Sequence, residues 1–531
     1  MHSAVPQPIY SVAQIREIEA RRARISPSLM ERAGAAAARA ALTFTRGSRQ
    51  PTLILCGPGN NGGDGFIVAR ILRQRGFSPI VVFRGDPDRL PADARSAYES
   101  WRALGGEPER EIPKRQFSLA VDALFGIGLQ RPIEGEYAEL IGQINHLGCP
   151  VLALDIPSGL DADSGRVLGC AVRAGHTATF IALKPGLLTL DGPDHCGDIS
   201  VHDLDLNPES ILPAKAHVVT PALFSACLKP RPRNSHKGMM GGVGIIGGAF
   251  GMVGAALLAG RAALKLGAGR IYVGLIDNQA LAVDASQPEL MLREPGEVLT
   301  SGFATALAVG PGLGQAGAAI DLLKQAIHSN LPLVLDADAL NLLAAHPVLA
   351  GHVQRRDAPT LLTPHPLEAS RLLGTDITGI RADRVAAALA LADKFNAVTV
   401  LKGCGSIIAL PSGRSSGEPV QAGTPSGRTP GVLLRAGQTQ PSGRWYINTS
   451  GNPGMASAGM GDVLTGIAVS LLAQGWDAEH ALLCAVHLHG LAADQLVEHG
   501  AGPAGLTASE TIDAARRIFN GWGKPHNRGA A

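Results

Sequence analysis

Short runs of apolar, mostly β-branched residues recur along this chain, and a stretch with helical periodicity separates each from the next. The first is TLILC (Thr52–Cys56), followed by a glycine-rich stretch and an amphipathic helix over 66–75. Ile80–Phe83, Leu119–Ala123, Val151–Leu154 and 177–183 continue the series. Strands separated by helices are joined by crossovers rather than hairpins, so they form parallel sheets with helices on their faces. Residues 11–42 precede the series as two helices. The rhythm breaks once, over 207–236, where NPESILPAKAHVVTPALFSACLKPRPRNSH carries prolines and charges at the density of a boundary. It resumes at Gly242–Gly247 and continues through RIYVGLI, TALAVG, PLVLDAD, PTLLTP and AVTVLKG. At 531 residues the chain exceeds what one hydrophobic core serves. Two α/β domains are expected, over 1–215 and 225–525, with no sequence repeat linking them. Residues 411–443 are rich in Ser, Gly, Pro and Arg and lie between two strands, 407–410 and Trp445–Asn448. They read as an inert flexible insertion, with a basic binding arm as the competing reading.

Composition removes whole classes of function. With 45% hydrophobic and 17% charged residues the chain buries large cores and is not disordered. A formal charge of +2 and 4% aromatic residues give no support to nucleic-acid binding. Seven dispersed cysteines, without paired metal-ligand spacing, fit reduced thiols in a cytoplasmic protein. The N-terminal stretch has no apolar core of a secretory signal, and the apolar runs are too short for a membrane span.

The stretch CGPGNNGGDG (56–65) contains a formal G-x-G-x-x-G. As a dinucleotide fingerprint it is weak. Asp64 is read at the helix entrance, where a carboxylate would oppose a pyrophosphate, and Asn60 and Asn61 bring amides that a phosphate cradle does not require. Three more polar groups end successive strands: Asp122, then Asp155 with Ser158 in LDIPSGLD, then Lys184 in IALKPG. Ligands of open parallel sheets bind beyond these carboxyl ends.

Residues 11–206 resemble the NAD(P)H-hydrate epimerase domain through GPGNNGGDGFIVAR, VDALFGIGLQRPIEG and LDIPSGLD. The resemblance implies a Rossmann-like three-layer fold whose glycine stretch holds a damaged nicotinamide nucleotide as substrate. It puts Asn60, Asn61, Gly62, Gly63, Asp64, Gly126, Ile127, Gly128, Leu129, Gln130, Arg131, Pro132 and Asp155 on that substrate. It also implies a potassium site of Asn61, Asp122 and Ser158, oxygen donors that suit a hard cation. Epimerisation at C6 of the hydrated ring needs acid–base help, and Asp155 is the candidate proton carrier. The competing reading has Asp155 as a turn residue before Pro157. Lys184 is expected to stabilise charge or orient phosphate. An Asp155→Asn exchange is expected to leave stability nearly unchanged.

In the second half, GNPGMASAGMGD runs into an apolar helix with Asp462 in its first turn. Backbone N–H groups there make an anion hole, and Asp462 stands where a base meets a hydroxyl; the competing reading is a helix-dipole aspartate. Residues 225–520 resemble the ribokinase-like NAD(P)H-hydrate dehydratase family through HKGMMGGVGIIGG, GPGLG, LDADAL, TPHPLE, LKGCGS and GNPGMASAGMGD. The resemblance implies that Ala255, Gly312, His365 and Asp462 contact the hydrated nucleotide. It puts Lys402, Gly403, Cys404, Gly405, Ser406 and Gly461 on an adenine nucleotide, and Glu368 at an acid that organises magnesium and phosphate. Asp336 and Asp338, which lack an evident third metal ligand, are read as strand-end and helix-cap chemistry with an indirect role in the site.

The two resemblances together imply an enzyme that repairs hydrated NADH and NADPH. Its cofactors would be potassium and magnesium, with ADP, or else ATP, as co-substrate. The expected partners are the hydrates NADHX and NADPHX, ADP, and further copies of the chain in a homo-oligomer. No nucleic acid or membrane is among them. The alternative is a vitamin or sugar kinase joined to a non-catalytic N-terminal module.

Overall fold

A computed structural model describes residues 5–45, 47–279, 282–412 and 443–522. Residues 413–442, nearly all of the 411–443 insertion, therefore lie outside the described residues. The chain divides into two compact units, Gln7–His217 and Val218 onward. No helix among the described residues is long and apolar enough to cross a membrane.

The first unit is built on a sheet of seven strands: β1 (Thr52–Cys56), β2 (Ile80–Phe83), β3 (Pro108–Glu109), β4 (Leu119–Ala123), β5 (Val151–Leu154), β6 (His176–Phe180) and β7 (Asp198–His202). They lie in the order β3-β2-β1-β4-β5-β6-β7, and every pair is parallel. This is the doubly wound order, whose switch point falls between β1 and β4. Side chains alternate between two cores. Ile54 and Cys56 face the cluster built with the helices Val12–Arg21, Leu29–Thr45, Asn60–Gln74 and Ala92–Ala103, whereas Leu53 and Leu55 face the cluster built with Gly135–Ile144. The expected three layers are present.

Two local expectations are corrected. The helix after β1 begins at Asn60, not Phe66, so Asn60–Asp64 belong to its first turns rather than to a loop. The glycines there permit close approach. A Cβ on Gly62 would lie 2.0 Å from the Gly57 carbonyl oxygen, one on Gly63 2.9 Å from the Ala94 backbone, and one on Gly65 2.8 Å from Cys56 Sγ. The run read as 177–183 stops at Phe180, because Ile181 takes φ 67° and turns the chain.

The second unit contains β8 (Gly242–Gly247), β9 (Arg270–Leu275), β10 (Met291–Arg293), β11 (Ala306–Val309), β12 (Leu333–Leu335), β13 (Thr360–Leu362), β14 (Val398–Leu401), β15 (Ser406–Ala409) and β16 (Trp445–Asn448). Their order is β16-β15-β14-β13-β12-β11-β8-β9-β10. From β10 to β14 all neighbours are parallel, and β15 and β16 add antiparallel. One core packs the sheet against the helices Val253–Lys265, Met460–Ala473, Ala478–Glu498 and Ala508–Trp522. Two of these cross closely at Gly466, where a Cβ would stand 2.2 Å from the Ala259 carbonyl oxygen. That crossing sets where the N-terminus of Met460–Ala473, and Asp462 with it, meets the strand ends.

Candidate active sites

In the first unit the carboxyl ends of β1, β4, β5 and β6 converge. Asp155 follows β5 at φ 66°, a left-handed conformation that is costly for a residue with a Cβ. Its Oδ1 accepts from Lys184 Nζ at 2.5 Å. Lys184 has no solvent exposure, and its other two donors go to Thr179 Oγ1 (2.8 Å) and the Phe180 carbonyl (2.7 Å). With all three N–H groups engaged, Lys184 cannot orient a phosphate, so that expectation is withdrawn: it positions Asp155. Gly126 closes over the pair, since a Cβ there would lie 3.3 Å from Asp155 Oδ2 and 3.4 Å from the Asn61 side chain.

Asp122 is buried within β4 and holds Ser158. Ser158 N–H donates to its Oδ2 at 2.8 Å and the Ser158 hydroxyl to its Oδ1 at 2.6 Å. Burial raises the Asp122 carboxyl to about 6, against the pull of the Ser158 bonds. Asn61, beside Gly126, has both its amide oxygen and its amide nitrogen buried and lacking a hydrogen-bond partner in the protein. An orphaned buried amide is a costly feature unless a ligand satisfies it.

Asp64 is also buried, and its carboxyl is pushed well above the usual range by desolvation, then by Asp155 and Glu19. It is buried within the helix Asn60–Gln74 rather than standing at its entrance, and its surroundings disfavour the charged form. Glu19 and Arg16 enter from the helix Val12–Arg21. The Glu19 carboxyl is raised by burial and by Asp155, and Arg16 Nη2 comes within 3.7 Å of where a Cβ on Gly128 would stand. Neither was singled out in the sequence, because Ile15 and Ile18 make that helix read as packing. Gln130, Arg131 and Pro132 are exposed on the rim, with Asn60 at the helix start.

In the second unit the hub is Asp336, just beyond β12. It accepts from Lys402 Nζ (3.0 Å), Thr363 Oγ1 (2.7 Å) and Thr465 Oγ1 (2.9 Å). Burial alone would raise its carboxyl, but Lys402 and the two hydroxyls outweigh it and hold the value below the usual one. Asp336 thus stands at the strand end, as read, and its side chain bonds Lys402, Thr363 and Thr465 rather than capping a helix. Asp338 instead accepts from Gly314 N–H at 2.9 Å and holds the GPGLG turn, whose Gly310 passes so close to Asp336 that a Cβ would meet its carbonyl at 1.8 Å. Gly312, at φ 58°, packs beside Ala255.

Gly461 leaves room over this hub: a Cβ there would be 3.2 Å from Lys402 Nζ and 3.5 Å from Asp336 Oδ2. Asp462 follows in the first turn of Met460–Ala473, its carboxyl raised to about 7 by burial and then by Asp336. His365 caps the helix Pro366–Leu373. Its Nδ1 accepts the Leu367 and Glu368 amides, which leaves the ring proton on Nε2, 3.3 Å from Glu368 Oε1. Glu368 Oε2 accepts the His365 amide, and burial lifts its carboxyl to about 7. Gly403 to Ser406 form a tight turn closed by Ser406 Oγ and underpinned by buried Arg384, which donates to the carbonyls of Leu401, Lys402 and Gly405. Thr363 opens the TPHPLE motif but has no role assigned to it by the sequence, and Thr465 and Arg384 lie outside the motifs that carry the resemblance.

The comparisons agree with this division. A family model described as "YjeF-related protein N-terminus" matches residues 26–186, and one described as "NAD(P)H-hydrate dehydratase" matches 243–432 and 432–515. The bifunctional NAD(P)H-hydrate repair enzyme of Coxiella burnetii (strain RSA 493 / Nine Mile phase I) is 38% identical, covering 96% of this chain and 99% of its own. The chain belongs to the bifunctional NAD(P)H-hydrate repair enzymes. The Escherichia coli (strain K12) member of that family is 36% identical, over 93% of this chain and 89% of its own. Among solved structures, an ADP/ATP-dependent NAD(P)H-hydrate dehydratase from Bacillus subtilis, co-crystallised with ATP and magnesium, is similar at 27% identity. Its TM-score is 0.46, and the match covers 57% of this chain and 98% of that one. Each half of the repair-enzyme chain thus has its own family signature and its own polar centre.

Proposed function

We propose that the first unit interconverts the R and S epimers of hydrated NADH and NADPH, and that the second removes water from the S epimer at the expense of ADP. The observation that carries the reading is the pairing of two separate acid–base centres with two family signatures: Asp155 on Lys184 in one, Asp462 over Lys402 and Asp336 in the other. The kinase alternative has less behind it, since relatives spanning nearly the whole chain bear the repair name.

In the first unit, Asp155 is held by Lys184 as the proton acceptor, and Asp64, whose carboxyl burial pushes up, stands near it as the complementary acid. A carboxylate held on a buried ammonium beside a second carboxyl that burial drives upward is a suitable pairing for acid–base work at one carbon. A potassium ion fits the donor set of Asn61, Asp122 and Ser158, because the Asn61 amide oxygen is buried without a partner. When bound, it supplies fixed positive charge beside the nucleotide.

In the second unit, Asp462 takes the proton of the C6 hydroxyl as that oxygen attacks the terminal phosphorus of ADP, with AMP leaving. The phosphate then departs from C6 with the C–O electron pair, the C5 proton is lost, and the ring double bond is restored. Phosphate is a far better leaving group than hydroxide. Lys402 and the first-turn N–H groups at Gly461 hold the phosphate, and the turn from Gly403 to Ser406 holds the nucleotide. Ala255, Gly312 and His365 face the hydrate, with the neutral Nε2–H of His365 as a donor. Glu368 would help to hold magnesium, which when bound neutralises phosphate charge. The seven cysteines are all free thiols. Incubating the hydrate with ADP tests the reading: released phosphate with restored NADH absorbance supports dehydration, and a stable phosphorylated alcohol rejects it.

A further inference from the structure

A second polar cluster in the Val218-onward unit uses none of these residues. Cys227 ends the short turn Ser225–Cys227, whereas Asp477 and His480 begin the helix Ala478–Glu498. One ligand atom of each of the three lies within 4.8 Å of the other two. Asp477 caps the helix through Oδ1, which accepts the His480 amide at 3.1 Å, and its Oδ2 lies 2.6 Å from His480 Nδ1. The cap therefore locks both side chains before anything binds, and Cys227 is brought to them from 250 residues earlier in the chain.

We propose that Cys227, Asp477 and His480 bind one zinc-class divalent cation. Thiolate, imidazole and carboxylate together select a borderline-soft ion and disfavour magnesium, calcium or potassium, which take oxygen. Metal–ligand distances of about 2.0–2.3 Å put tetrahedral ligand atoms roughly 3.3–3.6 Å apart, so Asp477 Oδ2 and His480 Nδ1, now 2.6 Å apart, would open as the three side chains close on the ion. The ion takes the place of the proton between Asp477 and His480, and Cys227 gives up its thiol proton. Water fills the fourth position. Cys484, one turn beyond His480, lies in the apolar core and is not a ligand. Lys229 adds positive charge near Cys227, and Glu479 near His480 is neutralised by Arg444 at 2.8 Å. Such a site would clip the turn to the helix that also carries Asp494. Asp494 accepts from Gly451 N–H and Asn452 Nδ2 in the segment leading to Asp462.

The test uses the full chain, stripped with a chelator and titrated with zinc or cobalt in reducing buffer without ADP or magnesium. One equivalent should bind, and the cobalt form should show thiolate charge-transfer absorption with tetrahedral ligand-field bands. Cys227→Ser and His480→Gln should each weaken zinc binding at least about ten-fold and abolish or alter those bands. Both variants should keep wild-type rates in both half-reactions, which certifies their fold. Unchanged zinc affinity in the variants, a thiolate band that persists in Cys227→Ser, or no band in the wild type would each overturn the site.

Discussion

Lys184 and Asp155 meet at 2.5 Å with the ammonium wholly buried and the carboxylate 13% exposed. Removing one charge leaves the other uncompensated, which costs about 3–5 kcal/mol in buried pairs. Asp155→Asn should therefore strand the R epimer, leave dehydration of the S epimer near normal, and lower the stability of the first unit. The sequence alone suggested no stability cost, because the buried partner was out of view. Calorimetry alongside separate assays of each epimer checks this. An R-epimer rate equal to wild type removes Asp155 from the mechanism, and an unshifted melting transition removes the pairing argument.

The Asp462 carboxyl titrates at about 7, so its base form grows between pH 6 and pH 8. The dehydratase kcat/KM for S-hydrate should rise through that interval and level off above it. An ordinary carboxylate base would give a flat profile there. Glu368 titrates in the same range, so the limb reports the two carboxyls together. Loss of the limb in Asp462→Asn identifies its main owner, and an identical limb in that variant rejects the assignment.

The same shift has a stability consequence. The folded-state value lies above the usual 3.8, so this group's contribution to stability is complete below about pH 4 and is lost as pH rises towards 7. Asp462→Asn removes that loss. Its melting temperature relative to wild type should be higher at pH 8 than at pH 5. The reverse trend would mean that the carboxylate is stabilised in the folded state.

Gly62→Ala should damage the first unit, because its methyl would sit 2.0 Å from the Gly57 carbonyl, and overpacking typically costs about 1–3 kcal/mol. Gly142→Ala is the matched control within the helix Gly135–Ile144. Its methyl meets nothing within 4 Å, so helix propensity should stabilise it by up to about 1 kcal/mol. Equal urea midpoints for the two variants would contradict this account of the glycines.

These contrasts show where sequence reading succeeds and where it stops. Strands such as Thr52–Cys56 and Gly242–Gly247 were legible to the residue, because full burial in a parallel sheet leaves an uninterrupted apolar run. The edge strands Pro108–Glu109 and Met291–Arg293 were not, because edges need no such run. The start of Asn60–Gln74 was hidden by glycines that read as a loop but serve close packing. Asp155 and Asp462 were visible through their motifs. Glu19, Thr363 and Thr465 were not, because their importance comes from distant chain segments meeting at Asp155 and Asp336.

The central claim is that two independent centres divide one repair reaction. The most direct test gives mixed-epimer hydrate, ADP and magnesium to Asp462→Asn, then follows R–S interconversion and NAD(P)H recovery in one sample. Nucleotide should still bind, interconversion should continue at the wild-type rate, and recovery should fall about 10²–10⁴-fold with the loss of a positioned base. Recovery within a few fold of wild type, or an equal fall in both rates, would contradict the account.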